Sequence, residues 1–199
     1  MQFKIKNIKI NLSFTFFALI ILLIVFNKNE FLYLTCFFAI IHEAAHLVAL
    51  NNFGVIITEF KISLFGANIK TESYKKISVK NEIIILLAGV MANLLFAILF
   101  SVLNYFIKSE ITENIFLINS SLFIFNLLPF YNFDGGKIIE ILLKTKFNEK
   151  TADVLVSCIS FIVLIPFTWF SINLFLQNYN NFYFLIVSVL MLLTIILKK

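Results

Sequence analysis

A chain of 199 residues that is 61% hydrophobic, with a mean hydropathy of +0.98, cannot be an ordinary soluble domain, in which about 45–50% of residues are apolar. Its net charge of +5 comes with sixteen basic residues, all of them lysine. These lysines punctuate apolar runs, which excludes a basic nucleic-acid-binding face and points to membrane topology; without arginine there is no bidentate phosphate clamp either.

About 20 mostly apolar residues suffice for a spanning helix, and six runs qualify, at 8–26, 31–50, 83–106, 113–130, 152–176 and 181–197. The predicted fold is therefore an all-α polytopic membrane protein of about six transmembrane helices, in one domain over 1–199. Its core is expected at 31–146, with helices 8–26 and 152–197 peripheral and no appended soluble domain. The first run follows Lys4, Lys6 and Lys9 like the start of a signal peptide, but it lacks a small-residue cleavage site and is long enough to span, so it reads as an anchor. With a cytoplasmic N-terminus, fourteen lysines fall on the cytoplasmic side and only Lys28 and Lys108 outside. That satisfies the positive-inside rule and makes both termini cytoplasmic. Cys36 and Cys158 both lie in apolar runs and read as small buried hydrophobes.

The second run holds the only two histidines of the chain, in His42-Glu43-Ala44-Ala45-His46. Positions i and i+4 share a helix face. At this spacing two imidazoles can bind one zinc ion, with Glu43 beside it as general base. The competing readings are hydrogen-bonded core histidines and polar glue between helices. An ionisable group at the bilayer centre costs roughly 2.5–3.5 kcal/mol on insertion scales, which favours a functional role.

The connection at about 51–82 alternates through Ile56–Leu64, turns at Phe65-Gly66-Ala67-Asn68 and alternates again through Ile69–Tyr74. It reads as a β-hairpin at the cytoplasmic membrane face. In the third run, Gly89 and Ala92 suit close helix contact and Asn93 is a buried amide needing a partner. The fourth run closes in Asn126-Leu127-Leu128-Pro129-Phe130-Tyr131-Asn132-Phe133-Asp134-Gly135-Gly136. Pro129 breaks the helix, and the glycine pair lets the backbone turn sharply. Asp134 either caps the following helix or serves as the third protein ligand that a catalytic zinc requires. It is the best-placed remaining carboxylate; Glu140, on the amphipathic stretch that follows, is the nearest decoy. The fifth and sixth runs, with Pro166 and Trp169, read as scaffold or substrate gate.

Taken together, His42-Glu43-Ala44-Ala45-His46, Ala88-Gly89…Asn93 and Asn126-Leu127-Leu128-Pro129…Asp134-Gly135-Gly136 resemble the site-2 protease family of intramembrane zinc metalloproteases. The six-span layout looks most like the bacterial group that processes a sporulation sigma-factor precursor. The matching region, about 42–136, covers roughly half the chain. The resemblance implies one zinc held by His42, His46 and Asp134, with Glu43 as base. It also implies that Asn126 and Asn93 contact substrate or the developing oxyanion, and that the hairpin around Phe65 and Gly66 binds substrate. The implied partners are a membrane-associated protein substrate, the lipid bilayer and membrane-protein regulators, with no nucleic acid. The implied location is a bacterial cytoplasmic-type membrane, with the site toward the cytoplasm. Three positions depart from the family pattern: Asn132 and Val90 stand where proline is usual, and Leu64-Phe65-Gly66-Ala67 lacks a proline and a second glycine. The rival functions are a divalent-metal transporter, which should show paired broken helices in two related halves, and a non-catalytic membrane-protein binder.

Overall fold

The computed structural model describes residues 2–5, 8–12, 30–63, 66–72, 77–178 and 182–196. They divide into two units, Met1–Asn126 and Leu127–Lys199.

In the first unit, strands β1 (Gln2–Ile5) and β2 (Ile8–Leu12) precede helix α1 (Glu30–Asn52). Strands β3 (Ile56–Ser63) and β4 (Gly66–Glu72) follow, then helices α2 (Val79–Ile107) and α3 (Glu110–Leu127). The strands form one sheet in the order β1-β2-β3-β4. The β1/β2 and β3/β4 pairs are antiparallel, whereas β2 and β3 run parallel, with Lys9 opposite Glu59 and Leu12 opposite Ile62. A parallel pair needs a long crossover, and here α1 lies within it. The β3/β4 register shifts between Ile57 and Glu59, the signature of a bulge.

This sheet corrects two expectations. The chain is not all-α with one hairpin: β3 and β4 are half of a four-stranded mixed sheet. Residues 8–12, taken above as the start of a spanning helix, are strand β2; residues 13–26 lie outside the described residues. The physical cue was the alternation of Phe3, Ile5, Ile8 and Ile10 with Lys4 and Lys9, which is the strand period.

Helix α1 stops in a Schellman motif. The N–H of Val55 reaches the Leu50 carbonyl at 3.1 Å and that of Gly54 the Asn51 carbonyl at 2.9 Å, with Gly54 at φ +69°. The apolar contact that accompanies such an ending is present, because Leu50, Val55 and Ile85 form a buried cluster. The motif thus turns the chain into β3 and also pins the end of α1 to α2. A second buried cluster, Phe38, Ile115 and Ile118 with Phe96 and Phe100 against it, joins α1 to α2 and α3. Phe38 meets Phe96 edge-on at 5.3 Å, a favoured aromatic geometry. Ser78 caps α2 by accepting from the Asn81 N–H at 3.3 Å.

In the second unit a short irregular segment leads into helices α4 (Asp134–Lys144), α5 (Glu149–Gln177) and α6 (Phe182–Ile196). Its core is Phe130, Leu164, Met191 and Ile195, with Phe133 and Phe167 packed against it.

Among the described residues, three helices are long and apolar enough to cross a membrane: Phe31–Asn52, Val79–Ile107 and Glu149–Gln177. The other expected spans fall short for identifiable reasons. Helix α3 carries Glu110 and Glu113 in its first turn and is diluted by Asn119, Ser120, Ser121 and Asn126. The 15 residues of α6 reach about 22 Å at 1.5 Å each, against a hydrocarbon thickness of about 30 Å.

Candidate metal centre

His42 and His46 lie on one face of α1, each only 5% exposed. Their rings stand edge to face, 4.7 Å apart, with the two Nε2 atoms facing each other at 3.1 Å. Each ring is held from behind by α2. His46 Nδ1 lies 2.7 Å from the Ile85 carbonyl; a carbonyl can only accept, so Nδ1 carries the proton and Nε2 keeps its lone pair. His42 Nδ1 lies 2.9 Å from Asn93 Nδ2. The carboxamide offers both a donor and an acceptor, so it can pair with this ring in either tautomer.

Gly89 makes room for both rings. A Cβ built there would stand 2.5 Å from His46 Nε2, 2.6 Å from His46 Cε1 and 2.8 Å from His42 Cε1. Gly89 sits at a close contact between helices, as its sequence suggests, and the neighbours it accommodates there are the two imidazoles of α1. Asn93 is fully buried, and it lies against a histidine 51 positions away in sequence. The buried amide that needed a partner therefore has one in a ring nitrogen of the candidate metal pair. Its Oδ1 is buried without a hydrogen-bond partner among the described residues. Glu43 is half-buried on α1. It shares a face with His46 at i, i+3.

In the second unit, Asp134 is 4% exposed. It opens α4 as the first helical residue, and Phe133, which makes no side-chain cap hydrogen bond, occupies the cap position. This answers the alternative that Asp134 is simply the N-cap. A carboxylate in the first turn is favoured by the helix dipole, and Lys137 Nζ stands 3.9 Å from it. The segment before it is fixed by Pro129, by the buried Phe130 and by Ser160 of α5, whose hydroxyl accepts from the Tyr131 N–H at 2.9 Å. The glycine pair serves space more than backbone freedom, since Gly54 is the one described glycine with positive φ. A Cβ on Gly135 would strike the Leu127 carbonyl oxygen, and one on Gly136 the Phe130 carbonyl oxygen.

The remaining sequence-predicted residues are placed as follows. Asn126 is half-buried near the end of α3 and donates one amide hydrogen to the Leu122 carbonyl at 3.0 Å; a carboxamide has a second. Gly66 opens β4 opposite Ser63. Phe65 lies outside the described residues. Glu140 proves a structural partner: Lys144 Nζ lies 2.6 Å from it and 4.0 Å from Asp153, tying α4 to α5. That bond holds the Lys144 ammonium above its ordinary range.

The donor set fits zinc. Two buried imidazoles face each other in the first unit, the second unit carries a buried carboxylate at Asp134, and nitrogen and oxygen donors of these kinds suit zinc. Two nitrogens bound tetrahedrally at 2.0–2.1 Å would stand about 3.3 Å apart, so the observed 3.1 Å separation needs a shift of only a few tenths of an ångström.

Comparison with known proteins agrees with this chemistry. Residues 109–167 match the model of peptidase family M50. Over 158 residues the chain is 27% identical to the zinc metalloprotease MJ0392 of Methanocaldococcus jannaschii, covering 73% of this chain. The chain spans about half the length of that relative, 46%. The fold is that of a solved structure, the site-2 protease from Methanocaldococcus jannaschii, with a TM-score of 0.70 and 24% identity over 96% of this chain and 91% of that one.

Proposed function

We propose that this chain is a zinc metalloendopeptidase of the site-2 type, which hydrolyses a peptide bond in or near a membrane-embedded segment of a protein substrate. The observation that carries this reading is the buried imidazole pair. Two Nε2 atoms face each other in an apolar helix, and a half-buried carboxylate stands one position away from His42. Asp134, buried at the start of α4, is the proposed third ligand. The similarity to a zinc metalloprotease and to a site-2 protease supports the same assignment.

When bound, zinc supplies a water acidified to a pKa of about 7 and polarises the scissile carbonyl. Glu43 takes the proton from the attacking water and delivers it to the leaving amine. Asn126, through its second amide hydrogen, donates to the carbonyl oxygen as charge develops there, a role whose loss typically costs about 10²–10³ in rate. Helical substrate hides its peptide bonds in its own hydrogen bonds, so it must unwind first. The sheet offers a place for the extended segment: β3 is paired on both sides, whereas β4 is a terminal strand of the sheet, and an extended peptide can add to such an edge. Gly66, which opens β4, and Phe65, which precedes it in sequence, belong to this substrate region.

We further propose that the protein is a single multi-pass domain with both termini and the site toward the cytoplasm, a reading the lysine distribution supports. Its substrate is then a membrane-associated protein cut near the cytoplasmic face, of which a transcription-factor precursor, as in sporulation, is one case. The decisive experiment is co-expression with candidate substrates of the wild type and of Glu43→Gln. The variant should accumulate uncut precursor while binding zinc normally. Full cleavage by Glu43→Gln would remove Glu43 from the mechanism and with it this reading.

A further inference from the structure

Helices α2 and α3 leave a groove between them, a cavity of about 240 Å³. On α2 it is lined by one face running from Leu94 to Val102 and including Ala97 and Ser101; on α3 it is lined by Phe116 and Ser120. Near Lys108 the two helices are tied together, with the Thr112 hydroxyl 2.7 Å from Asn104 Oδ1. Ile98, midway along the groove, precedes Lys108 by ten positions, about 15 Å at 1.5 Å each. Helix α2 is long and apolar enough to cross a membrane. In a hydrocarbon core about 30 Å thick, the groove therefore lies at mid-depth.

Its polar groups are unmatched. In α5, Ser157, Ser160, Thr168 and Ser171 each turn the hydroxyl back to the carbonyl four positions earlier, at 2.6–2.8 Å, the usual way a helix satisfies such a group. Neither Ser101 nor Ser120 does so, and neither has another hydrogen-bond partner among the described residues. Asn119, beside Ser120, is fully buried and adds a third group. A carbonyl can only accept, so the amide nitrogen is the end that faces the Ile115 carbonyl at 2.9 Å, and Oδ1 has no partner among the described residues. Asn119 also stands three positions from Phe116, so it adjoins the groove face of α3.

These groups decide what kind of occupant fits. Acyl chains offer no hydrogen bonds and would leave all three unmatched in hydrocarbon, where each such group is costly. A transmembrane helix can match them, and small residues such as Ala97, Ser101 and Ser120 are what let one helix approach another closely. The groove also leads toward the site. On α3 its face continues from Ser120 to Phe123, with Asn126 three positions further. On α2 it begins at Leu94, directly after Asn93, which touches His42. We propose that this groove holds the transmembrane helix of the protein substrate before it unwinds, and that it selects helices carrying a hydrogen-bonding side chain near mid-membrane. The inference rests on the proposed protease function and adds to it where the uncut helix is held and which sequence feature it carries.

The probe is a synthetic lysine-flanked polyleucine helix with one asparagine at its centre and a benzophenone beside it. It is compared with the same helix lacking the asparagine, in phosphatidylcholine vesicles that hold the full chain. The asparagine helix should bind about 3–30-fold tighter, the range that interhelical hydrogen bonds give in membranes. Its photo-cross-links, located by mass spectrometry, should fall within residues 94–102 and 116–120. Ser101→Phe fills the groove from an exposed position and should abolish the preference with zinc content unchanged. A precursor that the wild type cuts and Glu43→Gln leaves whole then identifies the occupant: Ser101→Phe should raise its KM by the same factor with kcat little changed.

Equal affinity for the two helices, cross-links confined to other segments or to lipid, or a preference that survives Ser101→Phe overturns the docking site. An unchanged KM overturns the substrate as its occupant. Should Ser101→Phe fail to fold, the wild-type cross-links and Ser120→Ala, which deletes one hydroxyl and should lower both the preference and the apparent affinity for the precursor, still decide it. A wild type that cuts no precursor refutes the proposed function and with it the identity of the occupant, while the two synthetic helices still decide the groove.

Discussion

Replacing Gly89 by alanine adds one methyl group where the structure leaves space for none. The new Cβ would lie 2.5 Å from His46 Nε2 and 2.8 Å from His42 Cε1. An ordinary contact is about 3.5 Å or more, so the His46 ring must retreat by about 1 Å. Both rings are tethered from behind, at 2.7 Å to Ile85 and at 2.9 Å to Asn93, and a retreat of that size stretches or breaks those bonds. Metal–ligand distances tolerate about 0.2 Å. Zinc affinity should therefore fall at least as far as for loss of an outer partner, about 10–100-fold. Fold stability should change far less. Alanine in a helix interior gains roughly 0.5–1 kcal/mol over glycine, while overpacking costs typically 1–3 kcal/mol, so the net effect on the metal-free protein is about 0–2.5 kcal/mol. Competition against a calibrated zinc chelator measures the first quantity and thermal unfolding of the metal-free protein the second. Met91→Leu, at an exposed position of the same helix, is the control and should bind zinc as wild type does. A Gly89→Ala protein with wild-type zinc affinity would show that the rings are not where zinc binds.

Ser160→Ala removes the acceptor of the Tyr131 N–H; it should destabilise by about 1–3 kcal/mol and speed hydrogen exchange at residues 130–134, read by mass spectrometry. Phe130→Ala empties the centre of the second unit's core and should cost about 3–5 kcal/mol in unfolding free energy, measured by denaturant titration in micelles. A proline scan through β4 should slow cleavage at alternate positions, where the N–H points away from β3, with zinc content unchanged; a scan that leaves cleavage untouched everywhere would remove strand addition from the mechanism.

The parts of the candidate site that depend on spacing within one segment were legible in the sequence. Two histidines four apart must share a helix face, and Pro129 followed by Asp134-Gly135-Gly136 announces a break and a restart. The parts that depend on distant segments were not. Gly89 is 43 positions from His46 and nothing local says which side chains it accommodates; its spacing fits ordinary helix packing equally well. Asn93 was legible as a buried amide needing a partner, but which partner cannot be inferred without the fold. The glycines of 135 and 136 were legible as required, but for the wrong reason: carbonyl oxygens crowd them and their φ angles are ordinary. In the fold, β1 and β2 were hidden by a conflict of signals, since lysines before an apolar run look like the start of an anchor while the same residues alternate like strands. The pairing of β2 with β3 joins positions about 50 apart and has no local signature.

X-ray absorption at the zinc edge, on the purified full-length chain, addresses the central claim with the fewest intermediate assumptions. The account predicts one zinc per chain, with two imidazole nitrogens at about 2.0–2.1 Å and oxygen completing the shell, and loss of the imidazole signal in His46→Ala. A preparation that retains no zinc, or a zinc shell without histidine, would contradict it.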